Sequence, residues 1–272
     1  MSWTPVGPAL LFCPADRPDR FAKAASAADM VILDLEDGVN ASDRSAARSA
    51  VKDNLLDPQR TIVRVNPVGT EDFALDLEAL ADTPYSLVML AKTESAEHVD
   101  ALTGRSVIAL CETAKGVVAS AGIAAAAGTV ALMWGAEDLV ASLGGKSSRD
   151  DDGTYREFAR FARSQVLLNA RAYGRVAIDA IHLDIADVEG LRVEAEDAAA
   201  SGFGATACIH PSQVDVVRSA YRPTDAEIAW ASGVLRAATN ERGAFRYEGR
   251  MVDAPLLRHA EQILSSAARV DD

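Results

Sequence analysis

Cysteine, histidine and long apolar runs are all scarce in this chain. Among its 272 residues three are Cys (Cys13, Cys111 and Cys208) and four are His. The cysteines lie far apart, in or beside apolar runs and without CxxC spacing. Each therefore reads as a buried reduced thiol and not as half of a disulfide. No His or Cys pair has the spacing of zinc ligands. No stretch approaches the about 18 consecutive apolar residues of a membrane-spanning helix. The opening Met1-Ser2-Trp3-Thr4-Pro5 lacks the basic segment of a secretory leader. The expectation is a cytoplasmic protein with no membrane partner. Positive charge is also in deficit, with 27 Lys and Arg against 40 Asp and Glu, a formal net charge of −13. That excludes the broad basic face of a general nucleic-acid binder, although a small local cluster could still hold a phosphate.

What the chain does have is apolar material for a sizeable core, 49% of its residues. It is arranged as short β-branched runs alternating with longer Ala-rich segments. Eight runs read as strands, at 9–13, 30–35, 61–65, 87–91, 107–111, 130–134, 176–181 and 205–209. Most are continuously apolar, the mark of parallel strands covered on both faces. Helical spacing appears at 42–54, 72–81 and 155–173, the last a long amphipathic segment. Eight strand–helix alternations imply parallel βαβ units. A closed (β/α)₈ TIM barrel suits that count, and a doubly wound open sheet is the alternative that periodicity alone does not exclude. Helical segments at 225–239 and 255–268, joined by a Gly-containing stretch at 241–250, fall outside the eight repeats. The expected division is a barrel at 1–220 and extra C-terminal helices at 221–272, packing on the barrel or on a neighbouring subunit.

In a barrel, functional groups belong at the C-terminal ends of the strands. Those ends read Asp16, Arg17 and Asp19 after the first strand, Asp34-Leu35-Glu36-Asp37 at the second, Arg64 and Asn66 at the third. Lys92 follows the fourth, Glu112-Thr113 the fifth, Gly135-Ala136-Glu137-Asp138 the sixth and His210 the eighth. Charges such as Arg64 and Lys92 in apolar surroundings need partners. Glu112 and Asp138, at the tips of adjacent strands, suit a hard cation such as Mg²⁺, which takes one or two carboxylates and leaves its other positions to water and substrate. A pair of acids for glycoside hydrolysis is a competing reading of the same rim. It explains neither Arg64 nor the small Gly135-Ala136 turn. His210 reads as a turn anchor, with a bond to substrate or coenzyme as the alternative, His182 with Asp184 as a buried hydrogen-bonded pair, Trp134 and Tyr155 as packing residues and Arg156 as solvated.

Several of these segments together resemble the citrate lyase β-subunit-like and malyl-CoA lyase family. They are Leu11-Phe12-Cys13-Pro14-Ala15-Asp16-Arg17-Pro18 with Phe21 and Lys23, Leu33-Asp34-Leu35-Glu36-Asp37-Gly38-Val39, Val63-Arg64-Val65-Asn66, and Glu112-Thr113-Ala114-Lys115-Gly116. Trp134-Gly135-Ala136-Glu137-Asp138-Leu139, Ile209-His210-Pro211-Ser212-Gln213-Val214 and Gly249-Arg250-Met251-Val252-Asp253 complete the set. They occur in the family's order over nearly the whole chain. One departure is Ala91 before Lys92, where the family pattern has Pro.

The resemblance implies a Mg²⁺-dependent TIM barrel, with Mn²⁺ an acceptable substitute, that assembles as a homotrimer or hexamer. It implies carbon–carbon cleavage of a β-hydroxy acyl-CoA such as malyl-CoA or citramalyl-CoA to an acyl-CoA and a 2-keto acid. Alternatives are a citrate lyase β subunit acting on citryl-ACP, an acyl-CoA thioesterase on the same barrel, and a metabolite-binding protein without activity. Carried over by position, Glu112 and Asp138 are the metal ligands. Arg64 contacts the substrate carbonyl and stabilises an enolate. Gly135, Ala136 and Glu137 cradle the keto-acid carboxylate, with Lys92 beside the substrate. Phe12, Arg17 and Lys23 contact the nucleotide end of coenzyme A. Asp253 is the acid/base supplied by a neighbouring subunit. Glu36 and Asp37 join Arg64 and Asp253 as candidate catalytic groups.

Overall fold

Each of the eight apolar runs forms a strand, and the strands close on one another. In this computed structural model they are β1 (Ala9–Pro14), β2 (Met30–Asp34), β3 (Thr61–Val65), β4 (Leu87–Leu90), β5 (Ser106–Cys111), β6 (Thr129–Trp134), β7 (Val176–Asp179) and β8 (Ala205–Cys208). They pair in parallel in sequence order, and β8 pairs with β1 to complete a closed barrel. The structure describes residues 3–239, 241 and 243–270, with side chains from 268 onward excluded. Met1 and Ser2, and within the expected C-terminal extension Asn240, Arg242, Asp271 and Asp272, lie outside the described residues. Two compact units result, Met1–Arg218 and Ser219–Asp272.

The barrel interior follows from the two-residue period of a strand. Leu10, Met30, Ile32, Ile62, Met89, Ile108, Leu110, Met133 and Ile178 form one buried cluster. Burial of each large side chain contributes roughly 1.5–3 kcal/mol. One inward step beyond that cluster, at the C-terminal mouth, the same rows continue as Phe12 after Leu10, Asp34 after Ile32, Arg64 after Ile62 and Glu112 after Leu110. The apolar layers thus become a charged layer by continuing one period.

The connecting helices are α1 (Phe21–Ala27), α2 (Arg44–Asp53), α3 (Glu71–Ala81), α4 (Ala96–Asp100), α5 (Ala114–Ala125), α6 (Ala136–Leu143), α7 (Glu157–Ala172), α8 (Val188–Ser201) and α9 (Val214–Tyr221). Local chemistry sets their ends. Thr70 caps α3 by accepting from Phe73 N–H, Thr113 caps α5 from Gly116 N–H, and Asp187 caps α8 from Gly190 N–H. Gly144 ends α6 at φ 68°, a left-handed position that costs glycine little.

Two local expectations need correction. The helix expected over 155–173 begins only at Glu157, because Tyr155 pairs instead with Arg149 across a tight hairpin. His182 is buried and hydrogen-bonded as expected, but its partner is Glu194 and not Asp184. His210 does anchor its turn, accepting from Ser212 N–H.

The second unit contains α10 (Asp225–Ala238), an antiparallel hairpin of β9 (Phe245–Tyr247) and β10 (Arg250–Val252), and α11 (Ala254–Val270). Thr224 and Glu227 form a capping box at the start of α10. Ala231, Val234, Val252, Ala260 and Ile263 form this unit's own core.

Candidate active site

The charged layer is built around Asp34 and Arg64, which are register partners on β2 and β3. Arg64 donates from Nε and Nη2 to the two oxygens of Asp34, at 2.7 and 2.6 Å. Asp34 also accepts the backbone N–H groups of Glu36 and Gly38, both at 2.9 Å, so its carboxylate is fully satisfied. Arg64 Nη1 lies 3.1 Å from Glu36 Oε2. Burial works against the guanidinium's charge, and the two acids more than offset it, so Arg64 is held above its usual pKa. It stays ionised with only 9% of its surface exposed. Three of its nitrogens are committed to acids, which fixes the planar fork and leaves two N–H groups for a ligand. The guanidinium also lies 4.9 Å from the centroid of the Phe12 ring.

Lys92 crosses the mouth. Its Nζ bonds Glu36, lies 2.9 Å from Asp37 Oδ2 and 3.1 Å from Asp138 Oδ1. Its backbone adopts φ 49°, an unfavourable left-handed conformation for a residue with a side chain. The geometry is stabilised by its own N–H, which donates to Glu112 Oε1 at 3.0 Å. Burial opposes the Lys92 charge, and hydrogen bonds to Glu36 and Asp37 overcome it, raising the pKa. Burial pushes Glu36 up despite Arg64 and Lys92. At the half-exposed Asp37, burial is outweighed by Lys92, and the pKa falls.

Glu112 is the unresolved charge in this arrangement. It is 3% exposed, and burial, followed by the nearby charge of Asp138, pushes its pKa up to about 8. Two carboxylates this close, one of them deeply buried, are the donor set of a hard divalent cation. Among the described residues no third His, Cys, Asp or Glu joins them in a group able to hold a metal. Gly135 permits the arrangement, because a Cβ there would stand 3.0 Å from both Cβ and Oε2 of Glu112. Gly135 is also the N-cap of α6, so the amides of Ala136, Glu137 and Asp138 open the helix with no intrahelical acceptor. Such an N-terminus favours an anion.

A cavity of about 80 Å³ brings Arg64, Glu112, Gly135, Ala136, Glu137 and Asp138 together with Phe12, and Leu110, Met133 and Ile181 form its apolar side. The sequence therefore placed Arg64, Glu36, Asp37, Lys92, Glu112, Asp138 and the 135–137 turn in one cluster. Phe12 lies inside the mouth against Arg64. Arg17 is outside the cluster and bonds Asp19, and Lys23 is exposed on α1. Asp253 belongs to the second unit, where it approaches Leu256 N–H at 3.5 Å at the start of α11.

Arg149 and Tyr155 also line the cavity, and the sequence reading missed both as site residues. The available signal was the turn Asp151-Asp152-Gly153-Thr154, which marks a hairpin inside what otherwise reads as a helical approach. The role of Asp34 as the holder of Arg64 follows from the inward period of β2.

Comparison with known proteins gives consistent likenesses. The family model described as HpcH/HpaI aldolase/citrate lyase matches residues 9–211. The citrate lyase subunit beta-like protein of Mycobacterium tuberculosis (strain ATCC 25618 / H37Rv) is 62% identical over 267 residues, covering 98% of each chain. The mitochondrial citramalyl-CoA lyase of Homo sapiens is 31% identical over 299 residues, covering 97% of this chain and 86% of that one. The crystal structure of CitE from Mycobacterium tuberculosis in complex with magnesium, acetoacetate and coenzyme A has a TM-score of 0.94 at 62% identity, over 96% of this chain and 98% of that one.

Proposed function

The chain belongs to the HpcH/HpaI aldolase/citrate lyase family, and from that premise we propose that it is a Mg²⁺-dependent carbon–carbon lyase acting on a β-hydroxy acyl-CoA. The products are an acyl-CoA and a 2-keto acid, with malyl-CoA and citramalyl-CoA the substrates of matching chemistry. The observation that carries this reading is the convergence of Arg64, the Glu112–Asp138 pair and the α6 N-terminus in one cavity at the barrel mouth. The magnesium and coenzyme A of the CitE complex support the same ligands here.

Glu112 and Asp138 would hold Mg²⁺, which supplies Lewis acidity toward the keto oxygen and carboxylate when bound. The other contributions come from the chain itself. The α6 N-terminal amides orient the keto-acid carboxylate. Arg64, locked by Asp34, presents fixed positive charge where the thioester oxygen gains negative charge as the carbon–carbon bond breaks. Its orientation is set before substrate arrives, so little reorganisation is needed. The Glu36–Lys92–Asp37 group anchors the Lys92 side chain between two carboxylates and supports the strained Lys92 backbone that bonds Glu112. Arg17 and Lys23 supply positive charge for the phosphates of coenzyme A. Asp253 moves the proton at the acyl α-carbon as general acid/base from an adjacent subunit, which makes the active assembly a trimer or a hexamer.

The test runs the reaction in the synthetic direction. The purified protein is incubated with Mg²⁺, acetyl-CoA or propionyl-CoA, and a panel of 2-keto acids, and new thioesters are identified by mass. A β-hydroxy acyl-CoA formed from at least one pair is expected. Absence of any such product, with free coenzyme A released instead, would replace the lyase by a thioesterase. Activity only on a protein-bound thioester would make it a citrate lyase β subunit.

A further inference from the structure

Part of the wall of the cavity that Arg64 lines is a hairpin that no strand or helix of the barrel contains. Residues 148–156 fold back on themselves through Asp150 N–H to Thr154 O and Arg156 N–H to Ser148 O, both 2.8 Å, with Gly153 at φ 84° in the turn. Its two cavity-lining residues are stacked. The Arg149 guanidinium lies 3.8 Å from the centroid of the Tyr155 ring, and that ring meets Trp134 edge-on at 5.2 Å. Trp134 is itself fixed by donation from Nε1 to Asp179 Oδ1 at 2.6 Å. The hairpin also reaches α6, through Ser148 Oγ to Glu137 Oε1 at 2.7 Å.

One acid outside the mouth holds this wall. Glu194, on α8, accepts from both terminal nitrogens of Arg149, with Nη2 to Oε2 at 3.2 Å. Its Oε2 is 2.9 Å from Nδ1 of His182, which is 5% exposed, and His182 Nε2 lies 3.3 Å from Asp187 Oδ2. Arg149 donates a further bond to Gly153 O at 2.8 Å. Three of its five N–H groups are thereby engaged, and Nε–H and one Nη2–H remain for a ligand.

We propose that Arg149 and Tyr155 form the wall against which the keto-acid half of the substrate is seated, and that Glu194, backed by His182, is the positioning residue that holds Arg149 there. The chain of contacts runs His182–Glu194–Arg149–Tyr155 and ends in the cavity that contains Glu112 and Asp138. Arg149 offers charged N–H donors to a carboxylate or keto oxygen, and Tyr155 offers a flat aromatic surface. Arg17 and Lys23, assigned to the phosphates of the coenzyme half, are not among the residues lining this cavity. The inference rests on the lyase reading, because it assigns a wall to that reaction's keto acid.

The experiment measures KM for the keto acid and for the acyl-CoA separately, in the synthetic direction with Mg²⁺. The proteins are wild type, Glu194→Ala, Glu194→Gln, His182→Ala and His182→Asn. Glu194→Ala is expected to raise KM for the keto acid at least about 10-fold, the effect of losing a charge-assisted hydrogen bond. KM for the acyl-CoA should stay within about two-fold. Glu194→Gln, which keeps an acceptor without the charge, should fall between. His182→Asn should retain more keto-acid affinity than His182→Ala, because the amide nitrogen replaces Nδ1 as donor. Should Glu194→Ala fail to fold, the Gln and Asn variants carry the same comparison. An active wild type with unchanged KM in the folded variants, or with both KM values shifted equally, overturns this proposal alone. A wild type that forms no thioester from any keto acid overturns the lyase reading, and this proposal with it.

Discussion

Removal of the buried charge at Glu112 should stabilise the metal-free protein above neutral pH, and the size of the effect follows from the site. The Glu112 carboxyl, with an ordinary value of 4.5, titrates at about 8 in the folded chain because it is buried beside Asp138. Between these pH values the folded state keeps a proton that the unfolded chain has lost. Stability therefore falls as pH rises across that window. The full difference is on the order of 5 kcal/mol, and for a chain of this length each kcal/mol moves Tm by about 2–4 °C. Glu112→Gln keeps the acceptor for Lys92 N–H and has no charge to bury. Thermal unfolding of wild type and Glu112→Gln should be followed in EDTA at about pH 5 and pH 8. The two proteins should nearly match at the lower pH, and the variant should melt on the order of 10–20 °C higher at pH 8. Millimolar Mg²⁺ should then raise the Tm of wild type and leave Glu112→Gln unchanged, since binding only to the folded state stabilises it. A Tm difference independent of pH, or equal stabilisation of both proteins by Mg²⁺, would refute the reasoning.

Other substitutions probe the remaining parts of the site. Arg64→Lys keeps the charge and loses the fork that binds both oxygens of Asp34, so kcat should fall on the order of 10²-fold or more; retention of most of kcat would make Arg64 a structural ion pair only. Arg17→Ala combined with Lys23→Ala should raise KM for the CoA thioester with a smaller effect on kcat, and an unchanged KM would place the nucleotide elsewhere. Mixing inactive Asp253→Asn subunits with inactive Glu112→Gln subunits should restore part of the activity, since some sites would combine an intact Glu112 with a donated Asp253. No rescue, with subunit exchange verified by mass, would leave Asp253 as the cap of α11.

The barrel was readable because a parallel strand buried on both faces leaves a continuous apolar run. All eight runs became strands, with ends displaced by one or two residues where apolar side chains continue past the last ladder bond, as at Leu35 and Ala180-Ile181. The rim charges were readable for a related reason, since a charge that continues an inward apolar row must point into the mouth. What stayed hidden was pairing between distant elements. Arg149 and Glu194 are 45 residues apart on different elements, and nothing in either local pattern names the other. His182 was matched to its sequence neighbour Asp184, while the fold supplies Glu194 from the next helix. Tyr155 was absorbed into a helix because the amphipathic period of α7 extends back over it. The hairpin that removes it depends on a turn and on stacking under Arg149, neither of which has a period. The left-handed backbone at Lys92 is likewise a product of tertiary bonds, namely the Glu112 acceptor and the carboxylates around Nζ.

Carbon–carbon cleavage itself is tested most directly by product stoichiometry in the forward direction. Citramalyl-CoA and malyl-CoA are supplied to the purified protein with Mg²⁺, and keto acid, acyl-CoA and free coenzyme A are quantified together over time. One keto acid and one acyl-CoA per thioester consumed, lost on adding EDTA and lost in Glu112→Gln, is the predicted result. Free coenzyme A accumulating with the intact hydroxy acid, and no keto acid, would contradict it.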